Sequence, residues 1–217
     1  MENFIQGIDV SRWQGTNINW NHVKEAGYQF TFVKSTDGSA YKQAFIDIAK
    51  KQADDALSAG IKIGYYHFAH PAAFPSIQID ASAEANFFVE TVSNGLPTPS
   101  FPLVLDFEDD KMLMRPVDVD EWISIFAKVV QDAGYEFMIY TSKSYAEQHL
   151  PSNHQYGAYP LWIAKYPQVI NLDNPPLPPQ GWLEWKIWQY SESGVVQGIE
   201  GAAVDLNIMQ KDFFDKY

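Results

Sequence analysis

The chain has no cysteine among its 217 residues. That excludes disulfides, thiolate metal sites and a cysteine nucleophile, and says little about compartment, because many exported bacterial proteins also lack it. Positive charge is scarce. Fifteen Lys and Arg stand against 27 Asp and Glu, a net charge of −12, which argues against non-specific binding to nucleic acid or an anionic membrane. Long apolar runs are missing too. Met1 is followed by Glu2 and Asn3, with neither a basic segment nor an apolar stretch behind them, so no secretory leader and no membrane insertion are expected. The five histidines, His22, His67, His70, His149 and His154, show no metal-ligand spacing. No His-Glu-x-x-His, Gly-x-Ser-x-Gly, Walker or dinucleotide-binding motif occurs, so no metal and no cofactor are expected.

Aromatic residues are plentiful, with 7 Trp, 12 Tyr and 14 Phe. They serve large cores and also stack on sugars or bases. Strand-like runs fall at Phe4–Val10, Gln29–Ser35, Ile61–Phe68, Phe101–Phe107, Glu136–Thr141, Pro160–Tyr166, Trp185–Tyr190 and Ala202–Ile208. Several are almost continuously apolar, the pattern of strands covered on both faces. Helical periodicity separates the earlier ones, at Trp20–Ala26, Tyr41–Ala59, Ile79–Asn94, Asp118–Ala133 and Lys143–His149, with glycine after most of them. After the sixth strand the helices stop, and Pro167, Pro175, Pro176, Pro178 and Pro179 preclude another. Alternating strands and helices imply parallel pairing, and eight strands can close. The order predicts an α/β fold: a modified TIM-like barrel, five βα units followed by three strands, (β/α)5(β)3, forming one domain over residues 1–217.

Four acids fall where such a barrel places its site. The run Phe101–Leu105 leads straight into Asp106 and Glu108, spaced i, i+2 and so expected on one face of a strand end. Asp9 closes the first strand and Asp205 lies in the eighth, which neighbours the first when the barrel closes. A single Asp at a strand end is usually a turn or cap residue. Two acids at the end of a buried strand are costly unless paired or neutralised, and like-charge neighbours split their pKa values into a proton donor and an anion. Converging carboxylates at the mouth are the layout that glycoside hydrolysis needs. Asp109 and Asp110 are expected to be solvated or to cap the following loop, His67 to be a hydrogen-bonded strand residue, and Trp13 and Trp20 to pack the first loop.

The segment Gly7-Ile8-Asp9-Val10-Ser11-Arg12-Trp13-Gln14-Gly15 resembles the opening of glycoside hydrolase family 25, the N-acetylmuramidases of phage endolysins and bacterial autolysins. Further matches follow in order: Phe32–Gly38, Gly64–Phe68, Leu103–Glu108, Ile139–Thr141, Leu161–Ala164, Trp188–Tyr190 and Val204–Asn207. The resemblance implies cleavage of the β-1,4 bond between N-acetylmuramic acid and N-acetylglucosamine in peptidoglycan. It makes Glu108 the general acid, gives Asp106 the substrate's N-acetyl group to orient, and completes the catalytic cluster with Asp9 and Asp205. It also implies substrate contacts at Tyr66, Tyr140, Trp162, Lys34, Gln189 and Asn207. Tyr66 and Tyr140 are expected at the mouth; Tyr190 is an open case. Asp37 departs from the pattern, standing where the family usually has Glu.

The i, i+2 spacing suits substrate assistance with retention of configuration, and a water positioned by an aspartate remains the other route. A catalytically silent glycan-binding barrel and a chitin-type glycosidase are the competing functions. Expected partners are peptidoglycan glycan strands, with a separate wall-binding module outside this chain left open. With no leader expected, the chain reads as a phage endolysin released through a membrane lesion, or as an exported protein whose leader lies outside this sequence.

Overall fold

A computed structural model describes residues 3–217. Met1 and Glu2, where the leaderless start and the expected 1–217 domain begin, lie outside the described residues. Eight strands close into one barrel in chain order. They are β1 (Phe4–Val10), β2 (Tyr28–Asp37), β3 (Lys62–Phe68), β4 (Leu103–Asp106), β5 (Phe137–Ser142), β6 (Leu161–Ala164), β7 (Ile187–Gly194) and β8 (Val204–Gln210). The helices are α1 (Trp20–Glu25), α2 (Gln43–Ser58), α3 (Ile77–Gly95), α4 (Pro116–Asp132), α5 (Lys143–His149) and α6 (Lys211–Lys216). The first five follow the first five strands, as the periodicity predicts; α6 was not predicted. Among the described residues, no helix is long and apolar enough to cross a membrane.

Pairing is parallel from β1 through β7. β8, which no helix precedes, runs antiparallel to both β7 and β1. No helix intervenes between β7 and β8, so a short return is available and the strand reverses.

Each strand sends alternate side chains inward and outward. Phe30, Phe32, Val104, Met138, Trp162, Ile187 and Met209 fill the interior. Their neighbours Val33, Leu105, Ile139, Ile163 and Trp188 face the helices. Gly7 and Gly64 are there for close approach: a Cβ at either would run into the ring of Phe30 or Phe32. At the base, Phe213 of α6 is buried in the same interior cluster, with Phe214 and Tyr217 packed against it.

Outside, the helices follow their apolar stripes. Ala49, Gln52, Ala53 and Ala56 are the buried face of α2. Gln52 is the polar exception, and its amide donates to the Ser11 carbonyl (2.8 Å) and the Gly15 carbonyl (2.7 Å), fastening the loop after β1. Pro116 opens α4, where its missing N–H costs no hydrogen bond. Between them α3 buries Glu84 beside Phe88. Glu84 meets Nε2 of buried His67 at 2.8 Å, and His67 Nδ1 meets the Thr36 hydroxyl at 2.8 Å. His67 is thus the hydrogen-bonded strand residue it was expected to be.

Candidate active site

The inward-facing rows turn polar as they reach the mouth. Asp9 follows Gly7 on β1, Tyr66 follows Gly64 on β3, Asp106 follows Val104 on β4, Tyr140 follows Met138 on β5, and Gln189 follows Ile187 on β7. Because β8 runs the other way, its polar residues Asp205 and Asn207 come before Met209, and Asp205 is the register partner of Asp9. Parallel pairing would have put Asp205 at the base. A cavity of about 320 Å³ opens among Asp9, Asp106, Glu108 and Asp205, walled by Tyr66, Tyr140, Trp162 and Gln189, with Tyr166 and Glu192 at its edge. A larger, shallow depression of about 1400 Å³ between α1 and the β7–β8 turn holds none of these four acids.

The floor is a fixed hydrogen-bond network. Asp9 Oδ2 accepts from Gln189 Nε2 (2.9 Å) and Asn207 Nδ2 (2.8 Å). The Asn207 carbonyl accepts from the Trp162 indole N–H at 2.8 Å. The Gln189 carbonyl accepts the hydroxyls of Tyr140 (2.7 Å) and Tyr166 (2.6 Å). In contrast, Asp106 Oδ1 is buried and has no hydrogen-bond partner.

Burial and mutual repulsion raise all four carboxyls. Burial pushes Asp9 well up and Asp205 adds to it, against the opposing hydrogen bonds from Asn207 and Gln189. Burial likewise lifts Asp106, reinforced by Glu108 and opposed by Lys34. Glu108 is raised by desolvation at the crowded mouth, with the Tyr140 hydroxyl opposing and Asp205 adding. Asp205 is raised mainly by burial. Glu108 differs from Asp9 and Asp106 in standing exposed at the rim. A carboxyl that holds its proton beyond the ordinary range and is open to a ligand can act as a general acid. Among the described residues, no group of three or more His, Cys, Asp or Glu is arranged to hold a metal ion.

Residues 8–199 match the family model of Glycosyl hydrolases family 25. The chain belongs to glycosyl hydrolases family 25. Lysozyme M1 of Streptomyces globisporus is 34% identical over 208 residues, covering 91% of this chain and 65% of that protein. The autolytic lysozyme of Clostridium acetobutylicum is 30% identical over 201 residues, covering 92% of this chain and 54% of that protein. The chain therefore spans only part of these curated relatives. The crystal structure of the bacterial lysozyme from Streptomyces coelicolor superposes with a TM-score of 0.77 at 34% identity, covering 94% of this chain and 90% of that one.

Of the residues that the family 25 motifs single out, Asp9, Asp106, Glu108, Asp205, Tyr66, Tyr140, Trp162 and Gln189 meet at the cavity. Asn207 stands behind it, between Asp9 and Trp162. Lys34 does not line the cavity; its ammonium is paired with Asp37 Oδ2 at 2.6 Å and lies over the Phe68 ring. Asp106 and Glu108 stand together at the cavity as expected, but not both within the strand: β4 ends at Asp106, and Glu108 lies two residues beyond it. Asp109 is not solvated: it is buried, although it does cap the loop by accepting from the Lys111 N–H at 2.9 Å. Trp20 is buried, whereas Trp13 is 74% exposed and packs little of its loop. Tyr190 packs on the outer core, away from the mouth.

Tyr166 and Glu192 were missed. Tyr166 had a signal, since it keeps the alternation of Trp162 and Ala164. Glu192 had none: β7 continues through Ser191-Glu192-Ser193, a polar stretch that reads as loop.

Proposed function

We propose that this chain is the catalytic barrel, one domain over residues 1–217, of a peptidoglycan hydrolase of the lysozyme type. It cleaves the β-1,4 bond between N-acetylmuramic acid and N-acetylglucosamine. The observation that carries this is the meeting at one cavity of Glu108, exposed at the rim with its pKa raised by desolvation, and buried Asp106, whose Oδ1 has no hydrogen-bond partner. Glu108 protonates the glycosidic oxygen. Asp106 Oδ1, with an acceptor site to spare, takes the acetamido N–H and orients the acetamido oxygen to attack the anomeric carbon as the glycosidic bond breaks; water, giving a proton to Glu108, then displaces that oxygen, and the two inversions leave the configuration retained. Asp9 and Asp205 complete the acid cluster, and the network through Gln189 and Asn207 holds Asp9 in place. Tyr66, Tyr140 and Trp162 offer aromatic faces or hydroxyls to the sugars. Lys34 acts through its field on Asp106 and Glu108 rather than by direct contact. The relatives named as lysozymes and as an autolytic lysozyme support a wall polymer as substrate and the cell wall as the place of action. The longer relatives leave room for a separate wall-binding module.

The test is clearing of purified peptidoglycan by wild type and Glu108→Gln, with the new reducing ends identified. Wild type is expected to release muramic-acid reducing ends, and Glu108→Gln to lose at least about 100-fold in rate. Clearing that survives the substitution would overturn the assignment of the acid. Glycan binding without cleavage would favour a silent barrel, and cleavage of chitin but not walls would favour a chitin-type glycosidase.

A further inference from the structure

Glu108 lies two residues past the end of β4, just before the turn closed by the Met112 N–H on the Asp109 carbonyl, so its place depends on what anchors its neighbours. Its neighbours are both anchored. Phe107 is fully buried, and its N–H donates to the Tyr140 carbonyl at 2.9 Å. Asp109 is tied more heavily. Its carbonyl accepts the Tyr145 hydroxyl at 2.7 Å, its Oδ1 accepts the Lys111 N–H, and its Oδ2 meets His70 Nδ1 at 2.9 Å. The other ring nitrogen of His70, Nε2, meets Asp37 Oδ1 at 2.9 Å. The main-chain N–H of His70 donates to Glu84 Oε2 at 3.1 Å, which fixes the residue against α3.

A neutral imidazole has one N–H and one bare nitrogen. Between two carboxylates, the bare nitrogen would face an oxygen lone pair. Only the imidazolium donates to both sides. We propose that His70 is a positioning residue for the reaction at Glu108: as an imidazolium it clamps Asp109 to Asp37, tying the turn that follows Glu108 to the end of β2. This rests on Glu108 being the proton donor. The charged groups around the ring are Asp37 from β2, Asp109 from the turn and Glu84 from α3, with Lys34 beyond Asp37 and Asp80 further along α3. Desolvation works to lower the His70 pKa, but Asp109 and Asp37 outweigh it and the net shift is upward. Asp37 is held below its ordinary value despite partial burial, by Lys34 and His70. The Asp at position 37, the departure from the family pattern, is thus the far jaw of the clamp. As pH rises through the raised pKa of His70, one of the two contacts is lost and the turn loosens.

The first experiment is an NMR titration in the Glu108→Gln protein, where Glu108 cannot titrate. The His70 ring is expected to titrate above about 6.5, the ordinary imidazole value, and the amide signals of Lys111 and Met112 are expected to follow the same midpoint. In His70→Gln that step disappears. With Glu108 intact, His70→Gln is expected to lose about 10- to 100-fold in kcat, as a displaced catalytic group does, with KM changed less than about 3-fold on the same basis of lost orientation rather than lost binding. A His70 that titrates at or below its ordinary value, amide signals that ignore its titration, or a His70→Gln enzyme with wild-type kcat would each overturn the clamp. Failure of the proton-donor assignment would appear separately, as activity retained in Glu108→Gln. Circular dichroism melting of His70→Gln guards against simple unfolding, and Asp37→Asn, which leaves the ring in place, is expected to lower the His70 midpoint. No change in that midpoint would also count against the clamp.

Discussion

Asp106 is held where a carboxylate is least comfortable: buried, beside Glu108, with one oxygen unpartnered. In the role proposed for it, Asp106 trades stability for chemistry. Because its pKa is raised in the folded protein, its stabilising share is fully present below the unfolded value of about 3.9 and is lost as pH rises through the raised one. Asp106→Asn removes a buried charge and keeps the shape. It is expected to raise the melting temperature at pH 7 by about 2–4 °C, the shift that roughly 1 kcal/mol makes in a domain of this size. The gain should shrink as pH falls and vanish well below the unfolded value, at about pH 3 or lower, where the carboxyl is protonated in both states, and hydrolysis should fall by at least about 100-fold. Calorimetry at the two pH values checks the first part; an unchanged or lower melting temperature at pH 7 would contradict the cost of burial. The same scale holds for the acid floor. Trp162→Phe deletes the indole donor to Asn207 and leaves a buried carbonyl unpaired, at a cost of about 1–3 kcal/mol. Chemical denaturation should read that loss; no loss would mean that the network is not what holds Asn207.

At the level of elements, the eight strands and five of the helices were legible because their patterns are strong. Near-continuous apolar runs marked the strands, and i, i+3, i+4 stripes closed by glycines marked α2 and α4. The ends were less legible. The Phe107 N–H makes the last ladder bond, to the Tyr140 carbonyl, β4 stops at Asp106, and nothing in Leu-Val-Leu-Asp-Phe-Glu encodes that. The direction of β8 was hidden for a different reason. Alternation reads the same in either direction, so Ala-Val-Asp-Leu-Asn named the mouth residues without revealing that they begin their strand rather than end it. The acids were found through residue type and motif order; the clamp on Asp109 was not, because His70 lies in a loop with no periodicity. α6 was missed because no glycine or proline separates it from β8: the strand ends at Gln210 and the helix begins at Lys211. Yet Phe213 of that helix is buried in the barrel interior. Phe213→Ala is expected to cost about 3–5 kcal/mol, while kcat measured well below the melting point stays near wild type. A melting temperature within a degree of wild type would show that α6 is an ornament on the base.

For the molecule as a whole, the proposed substrate is an anionic wall and the chain carries a charge of −12. Repulsion between the two is long-ranged at low ionic strength, and the screening length shrinks from about 30 Å at 0.01 M to about 8 Å at 0.15 M. Lysis of intact walls is therefore expected to quicken as salt rises from very low levels. A turbidity series from 10 mM upwards reads this directly, and rates that only fall with salt would mean that charge repulsion does not limit approach. The clefted mouth and the covered base also differ in kind: the four acids meet at one pole, and the other is closed by aromatic side chains.

The reversal of β8 has a consequence for how this fold can be extended. β1 begins where β8 ends: Phe4 pairs with Gln210, and the Asn3 carbonyl accepts the Lys211 N–H at 2.9 Å. A polypeptide joined ahead of β1 or behind β8 therefore departs from the base, the pole opposite the acids. Tethered cargo there can be swapped, lengthened or removed without a detour past the acid-lined mouth, and a covalent link between the two ends would circularise the barrel with its mouth left open.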